Sequence, residues 1–84
     1  MKVKKIISTD NAPKAVGTYS QAISYENFIF SSGQIPINPL TGMIVDGDFK
    51  DRVRQVLKNI EGILNESDSS LKHVLKFTVY LTDL

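Results

Sequence analysis

Few residues in this chain have the type and the setting to do chemistry. Tyr19 lies in Gly17-Thr18-Tyr19-Ser20-Gln21, just where a loop enters a strand. Its hydroxyl is well placed there to orient a polar ligand or a water. Anchoring a loop to the core is the commoner use of such a tyrosine. Ser32-Gly33-Gln34 closes a second strand candidate. There glycine lets a ligand approach the backbone and serine can donate to a carboxylate, although an ordinary strand-ending turn uses the same residue types. His73 is the single histidine. With no Asp, Glu or second His at ligand spacing it supports no metal site, and spacing defends no Ser-His-Asp arrangement. Arg52 and Arg54 stand near the start of a predicted helix, off its apolar stripe, and read as a solvated face rather than a substrate clamp.

The elements that must position these residues follow from pattern. Val3 to Ser8 is a short strand candidate, broken by Asn11-Ala12-Pro13. Ser20 to Tyr25 sets Ala22 and Ser24 on one side against Gln21, Ile23 and Tyr25, and Phe28 to Ser32 is a second β-rich run. Only Glu26-Asn27 separates the two, so an antiparallel hairpin is expected. Gly33, Pro36, Asn38, Pro39 and Gly42 punctuate a long loop, with a β-turn at Pro39-Leu40-Thr41-Gly42. Long ordered loops beside a rigid sheet are where sites often lie.

From Asp48 the period changes. Phe49, Val53, Val56, Leu57, Ile60, Ile63 and Leu64 make one helical stripe, with Asp48 as cap, Asp51 near the positive dipole end, and Ser67-Asp68-Ser69-Ser70 as the stop. Gly62 inside this helix costs roughly 1 kcal/mol relative to alanine, which suggests close packing on the sheet. Leu75, Phe77, Val79 and Leu81 then alternate with Lys76, Thr78, Tyr80 and Thr82, the pattern of a strand with one buried face. The expected order is β-β-β-α-β. Phe28 to Ser32 and Val74 to Leu81 would run parallel in a mixed sheet through a right-handed crossover, with one helix on one face. A single helix is narrow for four strands, so part of the sheet is expected to lie bare.

Composition sets the outer bounds. The 84 residues include 42% hydrophobic residues, 10 basic and 9 acidic side chains, a net charge of +1 and no cysteine. One domain over residues 1–84 is expected, and a chain this short buries only about 60–65% of its unfolded surface. Disulfides, thiolate metal sites and cysteine nucleophiles are excluded, which leaves oligomerisation as the available support. The scattered charge gives no field to gather nucleic acid or an anionic membrane. No apolar run approaches the ~20 residues of a spanning helix, and a cytoplasmic protein is expected.

Taken in order, Asn11-Ala12-Pro13, Gly17-Thr18-Tyr19-Ser20-Gln21-Ala22, Ser32-Gly33-Gln34-Ile35-Pro36 with Asn38-Pro39 and Thr41-Gly42, and Thr78-Val79-Tyr80-Leu81-Thr82-Asp83-Leu84 resemble the RidA/YjgF family along the whole chain. The resemblance implies a chorismate-mutase-like α+β domain, assembled as a homotrimer with clefts between subunits. It implies hydrolysis of reactive 2-imino and 2-enamino acids, such as 2-aminoacrylate and 2-iminobutanoate, to 2-keto acids and ammonia, with no metal or organic cofactor. Tyr19 would line the cleft, and Ser32 and Gly33 would contact the substrate. An imine is already electrophilic, so the reaction needs mainly a held carboxylate, an aimed water and proton transfer.

Two departures stand out. Thr18 replaces the family's usual proline, which loosens the approach to Tyr19. The family also continues beyond the Thr-Asp-Leu segment with its C-terminal third, including an arginine for the substrate carboxylate and a glutamate near the reacting centre. Neither has a counterpart up to Leu84. The expectation is an incomplete domain, poor or inactive by itself, with an uncovered strand edge and face that favour association. Two alternatives accompany it: a non-enzymatic small-ligand-binding or interaction module, and a ribonuclease or translation inhibitor. The near-neutral charge and the lack of a paired acid and base weigh against the last.

Overall fold

A computed structural model describes residues 4–17 and 19–81. The expected hairpin is present: β2 (Ala22–Tyr25) pairs antiparallel with β3 (Phe28–Ser31), Tyr25 opposite Phe28. Glu26 takes a φ of 54°, the positive value a primed two-residue turn requires at its first central position. The first strand, β1 (Lys5–Ile7), pairs antiparallel on the other side of β2, giving the order β1-β2-β3. Alternation then sorts the side chains. Ile7, Ala22, Ser24 and Ile29 share the face toward the helix, whereas Ile6, Tyr25, Phe28 and Phe30 lie exposed on the opposite face.

The long loop carries a small hairpin that sequence patterning does not show. β4 (Ile37–Asn38) and β5 (Met43–Ile44) pair antiparallel across the Pro39–Gly42 turn, where Gly42 has a φ of 74°. Asn38 organises that turn: its Oδ1 accepts the Leu40 N–H at 2.8 Å and its carbonyl accepts the Gly42 N–H at 2.8 Å.

The helix α1 spans Phe49–Glu66 and begins as expected. Asp48 Oδ1 accepts the Asp51 N–H at 3.1 Å, and Asp51 Oδ2 accepts the Asp48 N–H at 3.2 Å, a reciprocal capping box. Its apolar stripe is buried only toward the C-terminal end. Ile63 packs into a small core with Ile7, Ala12 and Ala22, flanked by Ile29, while Phe49 stays largely exposed. Gly62 packs closely on the loop between β1 and β2: a Cβ there would lie 2.6 Å from the Asn11 carbonyl oxygen.

One expected element is absent. After a single 3-10 turn at Leu71–His73, residues 74–81 pair with no described strand, and both sheets are wholly antiparallel. The alternation of this segment specifies two unlike faces, but a ladder also needs a neighbour to take up its N–H and C=O groups. Both sets of side chains are exposed instead, Leu75 at 86% and Tyr80 at 91%. The domain is therefore α+β with antiparallel sheets, and no helix among the described residues is long and apolar enough to cross a membrane.

Candidate functional site

Two loops leave the ends of β2 and β3 and face each other. Between them lies a cleft of ≈ 270 Å³ whose walls include Pro13, Lys14 and Tyr19 on one side and Ser32, Gly33 and Gln34 on the other, with Gln21 between. The three candidates read from the sequence, Tyr19, Ser32 and Gly33, are thus brought together. Thr18 lies outside the described residues, as do Thr82, Asp83 and Leu84.

Each wall is held for a physical reason. Gln21 is only 4% exposed, and its side chain is the hub of the first wall. Its Oε1 accepts the Thr9 N–H, while its Nε2 reaches the carbonyls of Thr9 at 3.0 Å, Ala12 at 3.2 Å and Pro13 at 2.7 Å. Two amide hydrogens shared among three acceptors leave no donor capacity for a ligand. The second wall is held by the helix. Asn59, fully buried, donates from Nδ2 to the carbonyls of Ile37 at 2.9 Å and Ile35 at 3.3 Å, and its Oδ1 accepts from Gln55 Nε2 at 2.9 Å. Asn59 and Gly62 therefore tie the two loops to one rigid element.

The candidates differ in what they have left to offer. Tyr19 is 54% exposed and also lines a second depression of ≈ 320 Å³ with Ser8, Asp10, Lys14 and Ser20, so it forms a wall between two concavities rather than an anchor in the core. The Ser32 hydroxyl already donates to the Gln21 carbonyl at 3.0 Å and accepts a long bond from Gln34 Nε2 at 3.4 Å. Its hydrogen is thus committed within the fold, and one lone pair stays open to the cleft. Gly33 has no atom within 4 Å of the position a Cβ would take, and its N–H has no partner among the described residues. Backbone approach by a ligand is open there.

Neither Arg52 nor Arg54 lines either concavity; Arg54 pairs on the surface with Asp51 at 3.6 Å. His73 lies in the 3-10 turn with Nδ1 3.1 Å from the Ser70 hydroxyl, away from the cleft lining. Among the described residues no group of three or more His, Cys, Asp or Glu is arranged to hold a metal ion.

Sequence reading passed over Gln21, Asn59 and Lys14. Asn59 did leave a signal, since it lies on the same helical row as Val56 and Ile63, where a polar residue inside an apolar stripe marks a buried hydrogen bond. Gln21 left none, because a glutamine facing away from Ala22 is indistinguishable from a solvated one.

The fold and cleft define a small α+β domain with a polar-lined cleft at the ends of β2 and β3, and comparison with known proteins gives its family. Residues 9–84 match the family described as Endoribonuclease L-PSP, and the chain belongs to that family. A RutC family protein of Pyrococcus horikoshii is 57% identical over 82 residues, covering 98% of this chain and 65% of its own length. The 2-iminobutanoate/2-iminopropanoate deaminase of Mus musculus is 39% identical, covering 98% of this chain and 61% of its own. A crystal structure of a Rid family protein from Yersinia pestis superposes with a TM-score of 0.79 at 48% identity, covering 82% of this chain and 55% of its own. The chain thus spans somewhat under two thirds of the length of the curated relatives it matches.

Proposed function

We propose that the protein hydrolyses reactive 2-imino and 2-enamino acids to 2-keto acids and ammonia. The observation that carries this reading is the convergence of Tyr19, Ser32 and Gly33 on one cleft, where the Gly33 N–H has no partner among the described residues. The activity named for the mouse relative supports it. In the proposed step a water adds through its oxygen to C2 of the protonated imine, giving a carbinolamine. Proton transfer from the new hydroxyl side to nitrogen then lets ammonia depart as the carbonyl forms. Tyr19 orients the water, the Gly33 N–H donates to the substrate carboxylate, and the Ser32 oxygen accepts from the substrate nitrogen. A subunit-interface cleft in a homotrimer is the expected setting, with a cytoplasmic location and no resident cofactor.

The test is release of ammonia and keto acid from 2-iminobutanoate generated in the cuvette, with the buffer rate subtracted. Acceleration supports the reading, and a rate equal to buffer, measured with these residues carried in a chain of the relatives' length, removes it. A binding module without turnover is the second reading, since no arginine and no carboxylate lines this cleft among the described residues. Saturable 2-ketobutyrate binding with no acceleration would select it. Ribonuclease chemistry has less support, because the cleft lining offers no paired carboxylate or histidine acid and base among the described residues.

A further inference from the structure

Lys14 belongs to no motif used so far, yet among the described residues it is the only basic side chain lining either concavity, and it lines both. It is exposed and joined to no carboxylate by an ion pair among the described residues; Asp10 shares the first depression without pairing with it. Its backbone is not free to wander, because the preceding carbonyl, that of Pro13, is held by the buried Gln21 at 2.7 Å. A cation on a held stretch of backbone, beside a cleft with no other full charge in its lining among the described residues, is an anion-recognition element. A carboxylate there would meet one ammonium and no competing negative side chain.

We infer that Lys14 is a specificity-determining residue that selects carboxylate-bearing ligands for the Tyr19–Gly33 cleft, a proposal that rests on the reading of that cleft as a small-acid site. The selection is electrostatic and partly solvated, so it falls with salt and is modest in size. Lysine acts here as a flexible point charge rather than a planar fork.

The experiment is calorimetric titration of the native chain, Lys14→Gln and Lys14→Arg with 2-ketobutyrate and with its uncharged amide, at low and high salt. Circular dichroism checks that each variant is folded. The expected result is about fivefold weaker 2-ketobutyrate binding by Lys14→Gln, the equivalent of about 1 kcal/mol. Amide binding should stay within twofold, affinity should be retained in Lys14→Arg, and salt should weaken binding by the native chain but not by Lys14→Gln. Equal loss for acid and amide, no loss for either, or no binding of either by the native chain overturns the proposal. Turnover is scored separately: a native chain that binds the acid in this salt-sensitive way but does not accelerate imine hydrolysis selects the binding reading of the cleft and leaves Lys14 standing.

Discussion

The carbonyl oxygen of Gln21 accepts both the backbone N–H and the hydroxyl of Ser32, at 2.9 and 3.0 Å. The same residue's side chain holds Thr9, Ala12 and Pro13. One strand-end glutamine therefore fixes both walls of the cleft relative to each other. Gln21→Leu would strand a buried N–H and three carbonyls, so a loss of about 2–4 kcal/mol is expected in urea denaturation. A loss below about 0.5 kcal/mol would show that the loop holds itself in place without this hub.

Gly33 separates ligand effects from folding effects. Its φ is not in the left-handed region and the space around its Cβ position is open, so Gly33→Ala fits the fold. Stability should be unchanged or rise by about 0.4–1 kcal/mol. Binding of 2-ketobutyrate should fall about tenfold, because the methyl group stands where a ligand would approach the N–H. Unaltered binding would place the ligand elsewhere.

At Gly62 two effects oppose. Alanine is better than glycine within a helix by about 1 kcal/mol. Here, however, its Cβ would sit 2.6 Å from the Asn11 carbonyl oxygen and 2.9 Å from the Asn11 Cβ. Backbone is the obstacle, so it cannot rotate away. The clash should win, leaving Gly62→Ala destabilised by about 1–3 kcal/mol. A thermal melt at or above the native midpoint would mean that the Asn11 loop yields easily.

Capping gives a further stability test. Asp48→Ala removes the acceptor of the Asp51 N–H and should cost about 1 kcal/mol. Asp48→Asn should recover most of it, since the side-chain oxygen remains. If Asn were as damaging as Ala, charge rather than hydrogen bonding would be the stabilising element.

What the sequence made legible depends on which interactions each element needs. The β2–β3 hairpin and α1 were readable because their signals are local: a two-residue gap between β-rich runs, and a stripe with a cap. The β4–β5 hairpin was not, since strands of two residues are too short to alternate. Residues 74–81 misled for the opposite reason: their alternation is clear, but pairing is a property of a neighbour, which side-chain pattern does not report. In the cleft, Tyr19, Ser32 and Gly33 could be singled out by residue type and motif. Lys14 could not, because an isolated lysine is usually solvated and only the fold shows which concavities it borders.

The proposed function rests on receipt of a small 2-keto or 2-imino acid by the Tyr19–Gly33 cleft. Backbone amide NMR during titration with 2-ketobutyrate tests it most directly. Saturable shifts are expected at Gly33, Ser32 and Tyr19, with the exposed helix start around Phe49 unmoved. Shifts confined to other residues, or none at millimolar ligand, would contradict it.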